Sequence, residues 1–357
     1  MRGNKCVSSH CQTSGITKYI AYYTLDYVTL LSLFILKCDL LFSSLSLLSQ
    51  QNLVRKASCA VFSQAGDLVL VGDKSGDLYS LRLEGGAPPS LLAGHLSQLL
   101  DLALSHHGDL VLTADRDEKI RVSRFPRAYN IETFCLGHTE FVTCLCLAEE
   151  KDQILSGSGD GTVRLWNYRE GVELCRLEVT EQVGLSAGDS ENTEPERNGV
   201  VRVSPPSEPA LVKMRRSRDM LVVQVENFKN LLIYKLTGET IKFRCQLELQ
   251  SCLLDFDSCG AELSVLRKTE NSAVLESYQL DQENIIKNKT LAFQDQEKFF
   301  LSIQNFEDDG LKNLHKRWFD NMKEYLERKE ARIEKAKSKS STQPPVPVPV
   351  KKQKCET

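Results

Sequence analysis

Through the middle of the chain, apolar and polar residues alternate in short runs, each closed by a cluster of turn-forming residues. In "SGDGT" (158–162) the Asp-Gly pair supplies the chemistry of a tight hairpin. After it, Val163 and Leu165 point to one face while Thr162, Arg164 and Trp166 point to the other, the period of two of a β-strand. The same arrangement returns along the chain. Gly94-His95 recurs as Gly137-His138, and Asp117 recurs as Asp160, at a spacing of 43 residues. The run "LTADRDEKIRVSRF" (112–125) thereby overlays "LSGSGDGTVRLWNY" (155–168), and a weaker copy, "LVGDKSGDLYSLRL" (70–83), lies 42 residues before the first.

A period of ~40–45 residues with Gly-His early, Asp in a tight turn and Trp at the end of the next strand is the WD40 pattern. It predicts an all-β fold, a β-propeller whose four-stranded blades are buried on both faces. A carboxylate so placed must be fully paired. In the best copy, His138, Ser156, Asp160 and Trp166 are therefore expected to form one hydrogen-bonded network, with His95 and Asp117 as counterparts one copy earlier. These residues read as structural groups rather than as metal ligands or catalytic side chains. The middle copy carries Ser123-Arg124 where the next carries Trp166-Asn167, so its blade has to be held without a tryptophan.

The remaining segments differ in pattern. Residues 1–50 are apolar from Tyr19 to Leu48, but Asp26, Lys37 and Asp39 divide them into runs shorter than the ~20 residues a membrane helix needs. They show neither strand alternation nor turn chemistry, and no blade is expected there. The propeller is placed at 53–305, interrupted by a polar, acidic insertion at 180–209 expected to be a solvated loop or disordered. Strand-like runs at 220–226, 230–236, 252–257, 261–267 and 273–280 fit two blades that have lost the Gly-His and Trp markers. Leu311, Leu314, Trp318, Met322 and Tyr325 then recur at spacings of 3 and 4, predicting an amphipathic, increasingly basic helix over 311–338. A Pro- and Lys-rich tail, 339–357, is expected to be disordered.

Composition narrows the function. A net charge of −3 over 357 residues excludes a globally basic nucleic-acid binder, although the C-terminal segment is basic. Twelve cysteines occur without a single C-x-x-C pair, which fits a reducing compartment better than a disulfide framework or a zinc site. No phosphate loop, nucleophile elbow, metalloprotease or dinucleotide motif is present. No catalytic residue, metal or cofactor is expected.

Specific strings carry a resemblance. "VGDKSGDLYS" (71–80), "GHLSQLLDLALS" (94–105), "LTADRDEKIRVS" (112–123), "CLGHTEFV" (135–142), "SGDGTVRLWNYREG" (158–171) and the helix "LHKRWFDNMKEYLERKEARIEK" (314–335) resemble the WD-repeat, non-catalytic subunit of the eukaryotic tRNA (guanine-N7)-methyltransferase. The resemblance is strong over 53–178, weaker over 210–330, and absent over 1–50. It implies a heterodimer with a catalytic subunit that binds S-adenosylmethionine and forms N7-methylguanosine in the tRNA variable loop. It also implies a nuclear location; no membrane association is expected, because the apolar runs of 19–48 are too short to span a bilayer.

Charged residues of the repeat turns are the candidates for partner binding. Arg164 leads, followed by Lys119 and Arg121 on the equivalent strand one copy earlier, then Asp115, Arg116 and Glu118. Reversing the charge of Arg164 is expected to weaken docking without unfolding the chain. Lys316, Arg317, Arg328, Lys329 and Arg332 are candidates for tRNA contact on charge alone. The alternative is a generic WD40 adaptor, such as a substrate receptor of a cullin-type ubiquitin ligase, suggested by "WNYR" (166–169). Propellers of the resembled family have seven blades, whereas 53–305 less the insertion holds enough chain for about five. The N-terminal stretch stands where further blades would be, and is expected to be foreign, an alternative or mis-spliced product.

Overall fold

The computed structural model describes residues 5–8, 17–23, 27–35, 42–53, 55–82, 87–183, 209–269, 273–281 and 285–293, with Leu311, Leu314, Leu326, 328–330, Arg332 and Ile333; through Asn52 the description is of backbone. Two compact units result, the first extending to His315 and holding every sheet, the second including the chain from Lys316 onward.

Among the described residues, six antiparallel sheets of four strands follow one another, each built from consecutive strands. The first comprises β1 (Lys5–Ser8), β2 (Thr17–Tyr23), β3 (Tyr27–Ile35) and β4 (Phe42–Asn52). The second comprises β5 (Ala57–Phe62), β6 (Leu68–Asp73), β7 (Asp77–Arg82) and β8 (Ser90–Gly94). The third comprises β9 (Leu99–Leu104), β10 (Leu110–Asp115), β11 (Lys119–Arg124) and β12 (Ile131–Leu136). The fourth comprises β13 (Val142–Leu147), β14 (Gln153–Ser158), β15 (Thr162–Asn167) and β16 (Val172–Glu178). The fifth comprises β17 (Leu211–Ser217), β18 (Met220–Val225), β19 (Leu231–Thr237) and β20 (Thr240–Leu247). The sixth comprises β21 (Cys252–Cys259), β22 (Glu262–Lys268), β23 (Ala273–Leu280) and β24 (Ile285–Phe293).

Five of these sheets lie where the repeat count placed them. The sheet over Lys5–Asn52 is a correction, because no blade was expected there. Its strands β3 and β4 run to 9 and 11 residues, against 6 for most strands of the clear repeats. A long apolar run without alternation fits a strand apolar on both faces, and period alone cannot separate that from a helix. The β-branched and aromatic content of "YVTLLSLFI" favours the strand. Strand β1 lies against β5, so this sheet adjoins the next.

From the second sheet onward, each pair of neighbouring sheets shares a core. Leu112, Val122 and Cys135 of the third sheet meet Leu145, Ile154 and Trp166 of the fourth. Leu155, Val163 and Leu165, on the opposite face of the fourth, meet Met214, Leu221 and Tyr234 of the fifth. Middle strands are consequently buried on both faces, all six residues of β10 among them, whereas outer strands such as β12 are mostly exposed. The first strands of successive sheets lie side by side, β5 on β9, β9 on β13 and β13 on β17. Polar contacts join them at the repeat spacing: Leu145 N–H donates to Asp101 Oδ2 at 2.7 Å, Lys213 pairs with Asp255, and Arg215 Nε donates to Asp257 Oδ1 at 3.1 Å.

After β16 a short helix, α1 (Thr180–Val183), begins the expected insertion, whose residues 184–208 lie outside the described residues. Of the amphipathic segment, Leu311 and Leu314 form a turn, and Leu326, 328–330, Arg332 and Ile333 are helical. Trp318, Met322, Tyr325 and the tail 339–357 lie outside the described residues.

The sixth sheet is stiffened by charge. Arg267 on β22 is buried and donates through Nε to Glu276 Oε2 on β23 at 2.7 Å; Tyr278 and Lys287 also reach the Glu276 carboxylate. Removing one member of a buried pair strands the other, whereas replacing both with apolar residues of similar size is often tolerated. Glu276→Ala is therefore expected to cost about 3–5 kcal/mol, and Arg267→Met with Glu276→Leu far less. Urea midpoints of the two variants test this; equal losses would reject a buried pair.

Candidate functional site

The turn between β14 and β15 and the Gly-His before β13 form the best-defined polar site. His138 Nδ1–H donates to Asp160 Oδ2 at 2.9 Å, and His138 Nε2 accepts the Ser156 hydroxyl at 2.7 Å. Trp166 Nε1–H in turn donates to Ser156 Oγ at 2.8 Å. Asp160 also accepts from the backbone of Thr139 and from both the N–H and the hydroxyl of Thr162. His138, Ser156, Asp160, Thr162 and Trp166 are all buried. Burial works to raise the Asp160 carboxyl, yet these donors, His138 first, hold it well below the usual carboxylate range. Burial pushes the His138 imidazole down, which fits the neutral tautomer that these contacts require.

Arg164 lies inside this network. It is only 4% exposed; Nε donates to Thr162 Oγ1 at 3.2 Å, Nη2 lies 3.5 Å from Asp160 Oδ2, and Nη1 lies 2.7 Å from Glu173 Oε2 on β16. Gly137 makes room for it, since a Cβ there would sit 2.6 Å from Arg164 Nη1. The expectation that charge reversal leaves the fold intact is corrected by this geometry. A glutamate at 164 would put a third carboxylate into a buried site already holding Asp160 and Glu173. Thr162 and Glu173 were not read from the sequence. An Asp-x-Thr turn signal marks Thr162. Glu173 comes from the next strand, and only the pairing of β15 with β16 brings it there.

The earlier copies reach the same backbone by other side chains. Asp73 Oδ1 accepts from Ser75 and Asp77 N–H, and Asp115 Oδ1 accepts from Asp117 and Lys119 N–H, so the turn-tying carboxylate sits two residues before the position of Asp160. Asp117 is exposed and stands outside the network expected for it. The signal was available: Asp73 and Asp115 align with Ser158 at the repeat spacing. His95 Nδ1–H donates to Gly76 O at 3.0 Å and Nε2 accepts from Thr113 at 2.8 Å. Burial, with the nearby Arg121 guanidinium, lowers its pKa to about 4.

Arg121 answers how the middle blade holds without its tryptophan. Its guanidinium donates to Ser123 Oγ at 3.2 Å, Gly94 O at 3.1 Å and Ala128 O at 3.4 Å, joining the strand to the preceding turn and the following loop. Arg116 is exposed and donates through Nε to Leu314 O at 3.2 Å. Lys119 is exposed on the same turn, and Glu118 occupies the left-handed region at φ 69°. Arg169 bridges two sheets, with Nη2 2.8 Å from Asp109 and Nε 2.7 Å from Asp152, which gives the arginine of "WNYR" a task within the fold. Arg328, Lys329 and Arg332 are helical and exposed; Lys316 and Arg317 lie outside the described residues.

Among the described residues no His, Cys, Asp or Glu cluster could hold a metal, and no helix is long and apolar enough to cross a membrane. Burial pushes the Cys135 and Cys144 thiols up to about 12, far from a nucleophilic thiolate. Sheets that succeed one another at the WD40 spacing, with polar networks spent on tying blades and turns, define a WD-repeat β-propeller, a class whose members present surfaces to partners. The family model for the tRNA methyltransferase TRM82 WD40 domain matches residues 87–292. The tRNA (guanine-N(7)-)-methyltransferase non-catalytic subunit wuho of Culex quinquefasciatus is 35% identical over 317 residues, 85% of this chain and 71% of that protein. The corresponding wdr4 subunit of Danio rerio is 39% identical over 304 residues, 80% of this chain and 69% of its own. A shorter match, 49% over 145 residues, links the WDR4 subunit of Mus musculus to 40% of this chain. The chain belongs to this family, the non-catalytic WD-repeat subunits of tRNA (guanine-N7)-methyltransferase.

Two outcomes follow from the network. Asp160→Ala leaves the His138, Thr139 and Thr162 donors unmatched and Arg164 with Glu173 as its remaining carboxylate, and should cost about 3–5 kcal/mol in chemical denaturation; a loss under 1 kcal/mol would show that water replaces the carboxylate. The folded chain keeps His95 neutral down to about pH 4, whereas the unfolded chain binds that proton near pH 6.5. Stability should therefore decline as pH falls from about 6.5 to about 4. In His95→Gln that decline should be shallower, and an unchanged slope would remove His95 as its source.

Proposed function

We propose that this chain acts as the non-catalytic half of a heterodimeric tRNA (guanine-N7)-methyltransferase in the nucleus. The catalytic partner binds S-adenosylmethionine and carries out methyl transfer to N7 of a guanine in the tRNA variable loop. The propeller docks beside that active site, stabilises its working conformation and helps seat the tRNA. Family membership is the observation that carries this reading, and the absence of catalytic motifs from the sequence agrees with it.

Docking falls to the charged rim of the third and fourth sheets. Lys119, exposed and unburdened by the networks below it, meets the partner directly. Arg164 acts with Glu173, whose partly exposed carboxylate it holds in place. Asp115 ties the turn that presents Lys119, Arg116 and Glu118, and Arg121 ties the following strand to Gly94. Rim charges of this kind set orientation and encounter rate more than raw affinity.

Complementation tests the reading as a whole. Expressed in cells that lack the subunit, the chain should restore N7-methylguanosine in tRNA and co-purify with a small S-adenosylmethionine-dependent methyltransferase. Failure to restore it despite soluble expression would overturn the proposal, and recovery of a cullin adaptor instead would favour a ligase receptor. Lys119→Glu should weaken capture of the catalytic subunit roughly tenfold at low salt, with the effect fading as ionic strength rises.

A further inference from the structure

The backbone of the blade tops is repeated, but the side chains on it are not. Lys74 N–H donates to Lys56 O, Arg116 N–H to Gln98 O, Gly159 N–H to Phe141 O and Glu226 N–H to Ala210 O, the same bond in four successive sheets. Only in the fourth sheet is the pair an aromatic residue and a glycine. The Phe141 ring is fully buried and occupies the space a side chain at 159 would need; a Cβ there would lie 2.6 Å from its Cζ. Phe141, Ala210 and Leu314 form one buried apolar cluster, with Leu100 and Leu311 packed against it. Leu314 thus sits in a socket made by the starts of three sheets, although it lies 21 residues beyond β24 in the chain.

One polar contact closes the socket. Leu311 and Leu314 form a turn, with Leu314 N–H donating to Leu311 O at 2.8 Å. The carbonyl of Leu314 accepts from Arg116 Nε at 3.2 Å. Arg116 occupies the repeat position of Gly159, so the same place in two neighbouring blades supplies a glycine for the ring and an arginine for the carbonyl. Lys316 and Arg317, the first cations of the basic segment, follow Leu314 by two and three residues.

We propose that the Leu311–Leu314 turn is a clasp that fixes the starting point of the basic C-terminal segment on the propeller, making Leu314 and Arg116 positioning residues for tRNA. This rests on the proposed function and on the expectation, from charge, that the basic segment contacts the tRNA backbone. A phosphate-binding segment held at a fixed origin acts at higher effective concentration than one without such an anchor. Burying Leu314 withholds an apolar side chain from water and fixes that origin.

The test uses the full chain in complex with its catalytic subunit, reading tRNA affinity by fluorescence anisotropy at several salt concentrations. Leu314→Asp should weaken tRNA binding on the order of tenfold and flatten its salt dependence, with Leu314→Ala intermediate and Leu314→Met near wild type. Association with the catalytic subunit should not change. A second full-length variant, with Lys316, Arg317, Arg328, Lys329 and Arg332 replaced by glutamine, should show a similar loss, and adding Leu314→Asp to it should lower affinity no further. If the glutamine variant binds tRNA less well while Leu314→Asp binds normally, the clasp is overturned alone. If the glutamine variant binds normally, the tail's contact with tRNA is overturned and the clasp's purpose with it.

Discussion

The Asp160 carboxylate lies in a sheet buried on both faces, and it stays ionised there because four hydrogen bonds and the Arg164 guanidinium reach it. An unpaired carboxylate at that depth would cost several kcal/mol or take up a proton. The donors come from the segment before β13 and from β15. Ser156 and Trp166 are recruited through His138, and Glu173 on β16 through Arg164. One carboxylate thereby couples all four strands of its blade, and the charges on its rim take their positions from the same contacts.

Neighbouring blades share the backbone design without sharing the chemistry. The tying carboxylate moves from Asp160 to the position of Asp115 and Asp73, and Arg121 bridges three acceptors where the fourth sheet uses an indole. Such exchanges are possible because the packing repeats: each sheet needs an apolar face towards each neighbour and a satisfied turn, and several side chains meet those needs. A propeller used as a platform acquires its particular surfaces from these departures. Arg116, Phe141 and Gly159 illustrate it, since an identical backbone bond carries a lysine in one blade and a leucine socket in another.

Much of this was legible in the residues. The 43-residue spacing, the Asp-Gly turn and the alternation after it specify four-stranded blades, because tight hairpins and buried strands admit few residue types. The WD40 pattern groups His138, Ser156, Asp160 and Trp166, and hydrogen bonds run from Asp160 to His138, from His138 to Ser156 and from Ser156 to Trp166. The apolar N-terminal stretch was not legible, since a strand apolar on both faces has no period to distinguish it. Arg164 was readable as a charge near a rim but not as a buried one, because its burial depends on Gly137 and on Glu173 from another strand.

The sequence by itself determined the fold class, the repeat length, the turn chemistry and the family, all of which are local or periodic properties of the chain. Tertiary structure alone decided which charges are spent inside and which remain outside. Arg121 and Arg164 satisfy a carbonyl and a carboxylate of other strands, while Lys119 and the helical Arg328, Lys329 and Arg332 stay exposed. The same holds for Leu314, whose buried partners Phe141 and Ala210 lie more than 100 residues away in the chain. A side chain's surroundings in a propeller come from the neighbouring blade, and no short stretch of sequence records them.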